Sequence, residues 1–144
     1  MSLPQPVLSP EELADYIAEI YPQIMEQFPG FAILSIESAK VVVALDTDQR
    51  HVRAGGTVSG PTIFALADMG GYACVLSHVG RQALAVTTNL NINFMRKAPP
   101  GRLEGHCRIL KLGKRLMVFE IDVRQEGSMD SVAHATGTYA IPPK

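Results

Sequence analysis

The sequence predicts an α+β fold in which a mainly antiparallel sheet wraps around one long central helix, with a further helix at the N-terminus. Three observations carry that expectation. The run from Ser59 to Val79, SGPTIFALADMGGYACVLSHV, is the least polar in the chain, and Asp68 is its only carboxylate. Two β-rich runs precede it and four follow it, joined by hairpin-like links. Such a sheet has one face to bury, and a helix that is apolar all round is the natural filling.

Taken in order, Ser9-Pro10-Glu11-Glu12 starts a helix. Ser9 can cap it, Pro10 suits its first turn and Glu12 completes a capping box. Leu13, Ile17, Ile20 and Tyr21, then Ile24 and Met25, follow at helical spacing, and Phe28-Pro29-Gly30 stops the run. One helix is therefore expected over 9–28, after a flexible segment at 1–8. Phe31 to Ser38 and Lys40 to Leu45 read as strands, the second being β-branched and apolar. Asp46 to Gly56 is a polar loop. The apolar helix follows, closed by Gly80.

Leu84 to Met95 alternates over a long stretch. Leu84, Val86, Thr88, Leu90, Ile92 and Phe94 share one face, and Thr87, Asn89, Asn91 and Asn93 the other. Pro99-Pro100-Gly101 breaks it. Leu103 to Lys111 and Leu116 to Arg124 form a hairpin around Leu112-Gly113-Lys114, and a last strand runs from Ser131 to Ile141. One copy leaves a sheet edge and part of the helix open, so a paired second copy is expected.

The chain has 144 residues, which suits one domain spanning 1–144 with a real core. A formal net charge of -1 supplies no field to draw it to nucleic acid or acidic membranes. Apolar content of 47% against 19% charged argues for a folded globule. The N-terminus lacks a basic stretch followed by an apolar one, so a cytoplasmic protein is expected. Cys74 and Cys107 match no metal spacing and read as reduced thiols. A membrane-spanning reading of Ser59 to Val79 is disfavoured by Asp68, His78, the Gly70-Gly71 pair and the lack of flanking anchors.

A lone aspartate in an apolar helix is costly to bury unless something pairs with it or uses it. Burial also makes a carboxylate a stronger proton acceptor, as a general base requires. The stretch RAGGTVSGPTIFALAD, with VTTNLNINFMRKAPPG downstream, resembles the hotdog-fold acyl-CoA thioesterases of the phenylacetate-degradation (PaaI-like) branch. That family's motif is Asn, two residues, Gly-Thr, one residue, His-Gly-Gly, six residues, Asp. Gly56-Thr57 match, Gly60 is the first glycine of the pair, and Asp68 takes the acidic position. Three positions depart: Arg53 stands for the Asn, Ser59 for the His and Pro61 for the second glycine.

The resemblance implies hydrolysis of an acyl-CoA thioester. Asp68 would act as general base or nucleophile, and the free N–H at Gly60, at the helix start, would polarise the thioester carbonyl. The family places a Ser or Thr at Thr87, facing the acid from the other subunit, where it would hold the attacking water. Each has a structural alternative: Asp68 bonding backbone, Gly60 permitting a turn, Thr87 an ordinary strand residue. Ser59 reads as the N-cap and Pro61 as a first-turn residue. Arg53 can bias the Asp68 carboxylate, grip a substrate anion or sit solvated in its loop.

Phe64 and Tyr72 flank Asp68 one turn away on either side and either can shape an acyl pocket. Arg96-Lys97, and Lys111, Lys114 and Arg115, can grip coenzyme A phosphates or serve solubility. His51 reads as an exposed loop residue, and His78 and His134 show no partner by spacing. No His/Cys/acid cluster has zinc spacing, so neither metal nor cofactor is expected, coenzyme A entering only as part of the substrate. The expected assembly is a homodimer, further paired as a dimer of dimers. Two rivals remain. The same pocket can bind an acyl-CoA or acyl carrier without turnover. A hotdog dehydratase would pair the helix acid with a His, and His51 precedes Asp68, but RAGGTVSGP lacks the proline-rich motif of those enzymes.

Overall fold

The computed structural model describes residues 2–143, leaving Met1 and Lys144 outside the described residues. The N-terminal helical region is two helices, α1 (Pro10–Ile20) and α2 (Pro22–Gln27), not the single helix expected over 9–28. Both halves of the Ser9/Glu12 capping box form at the start of α1. The break falls at Tyr21, with φ -140° and ψ 60°. Pro22 is its cause: proline excludes the helical conformation from the residue before it and has no N–H for the helix ladder. Leu13 and Ile17 from α1 and Ile24 from α2 still reach the core.

The segment ahead of α1 was expected to be flexible, yet its last part is tied down. The N–H groups of Val7 and Leu8 both donate to the Ser77 carbonyl, and Leu8 is buried. An apolar side chain and two backbone bonds outweigh the freedom of a polar leader.

Six strands follow: β1 (Phe31–Glu37), β2 (Lys40–Asp46), β3 (Val86–Phe94), β4 (Arg102–Leu112), β5 (Leu116–Gln125) and β6 (Ser131–Ala140). They form one sheet in the order β1-β2-β4-β5-β6-β3, every neighbouring pair antiparallel. Its concave face holds α3 (Gly60–Val79). Val41, Val43, Leu103, Cys107, Phe119, Ile121 and Tyr139 pack inward with Leu66, Cys74, Val75 and Leu76 of the helix. By length and composition α3 would suffice to cross a membrane, but two-thirds of its most apolar stretch is buried inside this sheet.

Two glycines let the helix lie this close. A Cβ on Gly70 would fall 2.4 Å from Ile121 Cδ1, and one on Gly71 would fall 2.5 Å from Phe119 Cζ. At its start Ser59 accepts from the Thr62 N–H, and at its end Gly80 (φ 94°) turns the chain away.

Strand β3 departs from the expected alternation. A bulge at Thr88 shifts its register on β6, so Thr87 pairs with Tyr139 while Leu90, Ile92 and Phe94 pair with Gly137, Ala135 and Ala133. Those β6 residues are buried, so Thr87 belongs to the helix-facing side with Leu90, Ile92 and Phe94, not to the asparagine face. One extra residue inverts the period-two pattern on one side of it.

The carboxyl end of α3 carries His78, which is buried. Its Nε2 accepts from the Ala39 N–H at 3.0 Å, which leaves Nδ1 to donate to the Cys74 carbonyl, also at 3.0 Å. Ala39 has φ 60°, and this bond pins that left-handed turn between β1 and β2. Burial holds His78 below its ordinary value. The unfolded chain then takes up the proton more readily, so the stabilisation is complete above about pH 6.5 and drains as pH falls towards the folded value. The urea midpoint should drop between about pH 7.5 and about pH 5.5, and His78→Gln should flatten that part of the profile. Parallel wild-type and variant profiles would contradict it.

Candidate active site

Asp68 lies midway along α3, half-buried at the edge of a cavity of ≈ 470 Å³. Its Oδ1 accepts two hydrogen bonds: from Thr87 Oγ1 at 2.6 Å and from the Tyr139 hydroxyl at 2.9 Å. The same tyrosine oxygen lies 2.9 Å from the Asp68 backbone carbonyl. Oδ2 takes no hydrogen bond among the described residues. The carboxylate therefore has one oxygen held and one free to react.

Tyr139 is 3% exposed. Burial, and then the adjacent Asp68 charge, hold its phenol well above the ordinary value, so it remains a donor at neutral pH. The expectation that Thr87 reaches the acid from another subunit is corrected. The contact is made inside one chain, because the β3 bulge turns Thr87 towards its own helix. Tyr139 was missed. In the sequence it is one apolar-facing residue of the last strand, and only the β3–β6 register places it beside Thr87.

Tyr139→Phe should fold like wild type, since only an oxygen is lost. It should lower kcat about tenfold or more with KM little changed, because the Asp68 carboxylate loses one of the two bonds that orient it. Steady-state kinetics on a thioester decide this. A variant matching wild type would make the hydroxyl a bystander.

Gly60 opens α3, where backbone N–H groups have no carbonyl one turn back. It lines a different, shallower cavity of ≈ 280 Å³ with Arg53, Phe94, Arg96 and Lys97. Eight residues at 1.5 Å rise put it about 12 Å along the helix from Asp68. A single thioester carbonyl cannot touch both in one chain.

Ser59 acts as the N-cap, its Oγ also 2.8 Å from Thr62 Oγ1, and Pro61 is an exposed first-turn residue. Arg53 is exposed and lines the Gly60 cavity, not the one at Asp68. Tyr72 lines the Asp68 cavity and donates to the Ala83 carbonyl at 2.9 Å. Phe64 lines neither cavity and is 40% exposed, one helical turn having carried it beyond the pocket.

Two readings of histidine change. His51 is buried, not exposed: its Nδ1 accepts from the Asp48 N–H and its ring stacks on Phe28. It lines neither cavity, so within one chain it is not paired with Asp68. His134 pairs with Glu120 across strands at 3.1 Å, a contact that sequence spacing does not display. The basic residues also divide. Arg96 and Lys97 flank Gly60, whereas Lys114 and Arg115 line a separate cavity with His78 at the far end of α3. Cys74 and Cys107 are free and buried. Among the described residues no three His, Cys, Asp or Glu side chains gather as a metal cluster.

Residues 55–132, just over half the chain, match the profile of the thioesterase superfamily. A provisionally named esterase from Pseudomonas aeruginosa is 39% identical over 105 residues, covering 72% of this chain and 76% of that protein. The crystal structure of a provisionally named thioesterase from Silicibacter sp. TM1040 superposes with a TM-score of 0.87 at 45% identity, covering 97% of this chain and 96% of that one. A variant of the phenylacetic acid degradation protein PaaI from Thermus thermophilus gives a TM-score of 0.71 at 26% identity, covering 83% of this chain and 99% of that one. With a six-stranded sheet around a central helix and an acid at its midpoint, the chain belongs to the thioesterase superfamily, hotdog fold, PaaI-like branch.

Proposed function

We propose that this protein hydrolyses acyl-CoA thioesters in the cytoplasm, at a site completed by a second copy of the chain. The observation that carries the reading is the Asp68 carboxylate, one oxygen anchored by two hydroxyls and the other free on a cavity. In the general-base form, Oδ2 takes a proton from water as the water oxygen bonds to the carbonyl carbon. The tetrahedral oxyanion collapses, the C–S bond breaks, and the thiolate leaves and is protonated to give free acid and coenzyme A. In the nucleophilic form the same oxygen attacks the carbonyl, the C–S bond breaks as the thiolate leaves and is protonated, and water then hydrolyses the mixed anhydride to free acid and the regenerated Asp68 carboxylate. No cofactor is invoked.

The oxyanion needs donors, and Gly60 of the same chain is out of reach. Strand β3 supports a source for them. It is one of the two sheet edges and carries exposed apolar side chains, Val86 at 55% and Phe94 at 52%. Its beginning, Thr87, touches Asp68, and its end, Phe94, lies against Gly60. Two copies pairing β3 to β3 antiparallel about a two-fold axis would lay each Asp68 beside Gly60 of the partner subunit. Arg53, Arg96 and Lys97 would then face the coenzyme A phosphates.

The test is thiol release from a panel of acyl-CoAs, followed by mixing two inactive variants. Asp68→Asn removes the base. Gly60→Pro removes the N–H and suits a first helical position. Half of the randomly mixed dimers would be hybrids with one intact site, so about a quarter of wild-type activity should return. No recovery would overturn the shared site. Saturable acyl-CoA binding by wild type without thiol release would overturn hydrolysis in favour of a binding protein.

A further inference from the structure

We propose that this site takes an uncharged, apolar acyl group, and that the α1–α2 joint, through Ile20, Tyr21 and Ile24, sets how long that group can be. The inference rests on the hydrolytic reading and says what is hydrolysed. The cavity at Asp68 carries its charge at one end, where Asp68, Thr87 and the Tyr139 hydroxyl meet. From there it runs along Met69, Tyr72 and Leu84 to the joint. Among the described residues no Lys, Arg or His lines it.

Two facts make the joint a wall with a defined position. The break before Pro22 turns the chain between α1 and α2, and Tyr21 and Ile24 come to the cavity from that turn. Tyr21 stands edge-on to Tyr72, ring centres 6.5 Å apart, and Tyr72 tilts against Tyr139 at 6.1 Å. The Tyr72 hydroxyl is already committed to the Ala83 carbonyl, and burial pushes that phenol up to about 12, so it offers neither charge nor a spare donor to a distal polar group. A carboxylate at the far end of an acyl chain would meet no counter-ion and would share the cavity with the Asp68 charge.

The experiment compares kcat/KM across butyryl-, octanoyl-, decanoyl- and dodecanoyl-CoA, with octanedioyl-CoA as the charged match for octanoyl. Wild type should prefer octanoyl over octanedioyl by about tenfold or more, since a distal carboxylate finds no counter-ion in a cavity that already holds the Asp68 charge. Ile24→Phe, which fills the far end, should lower the decanoyl-to-butyryl ratio at least about tenfold. Tyr21 is partly exposed and tolerates truncation, so Tyr21→Ala serves if the first variant fails to fold. It should raise the dodecanoyl-to-octanoyl ratio by about threefold or more. Equal cleavage of octanoyl and octanedioyl thioesters, or chain-length profiles unchanged by both variants, would overturn the proposal. If wild type cleaves nothing, hydrolysis fails separately. Calorimetric titration with the same thioesters then decides the pocket by the same ratios, taken from Kd.

Discussion

Asp68→Asn should cut turnover about 10³-fold while leaving the fold intact. The change is isosteric, and the amide oxygen can still accept from Thr87 and Tyr139, the two donors that hold Oδ1. What disappears is the negative charge and the proton-accepting or attacking capacity of Oδ2. General-base assistance alone contributes roughly 10²–10⁴ in rate, so kcat should fall about 10³-fold with the unfolding midpoint nearly unchanged. Thiol release and a denaturation curve on the same sample measure both. A variant retaining a tenth of wild-type kcat would remove Asp68 from the chemistry.

Gly71→Ala should lower stability through a collision with two buried rings. The added Cβ would lie 2.5 Å from Phe119 Cζ and 2.9 Å from Tyr139 Cε1. Phe119 is fully buried and cannot swing away. Overpacking of this kind costs about 1–3 kcal/mol, more than the roughly 1 kcal/mol of helix propensity that alanine recovers. If the ring that yields is Tyr139, its hydroxyl leaves Asp68, and kcat falls as well. Gly60→Ala is the contrast for stability, since its Cβ would sit an ordinary 3.6 Å from the Phe94 ring. Urea unfolding and kcat of Gly71→Ala check the expectation, and a wild-type midpoint would show that the contact has room to relax.

Most of the elements were readable because each is announced locally. The capping box at Ser9, the β-branched run at Val41 to Val43 and the turn at Gly113 act within a few residues of themselves. The same locality explains the N-terminal error. Helical spacing runs straight through Tyr21, and the pattern outweighed Pro22, although proline's effect on its neighbour was the stronger physical constraint. At the site, Asp68 stood out because a single charge in an apolar helix has no local justification. Tyr139 did not, since a tyrosine in an alternating strand needs none.

Apolar periodicity and one misplaced acid were enough to specify a sheet around a helix and to point at Asp68, because burial and desolvation act on each residue wherever it sits. Strand register was not encoded that way. A one-residue bulge at Thr88 decides which face Thr87 occupies, and the β3–β6 pairing decides that Tyr139 meets it at the carboxylate. Those contacts join residues 19 and 71 positions apart. They exist only once the sheet has closed, so which oxygen of Asp68 is held and which is left free is a property of the folded chain.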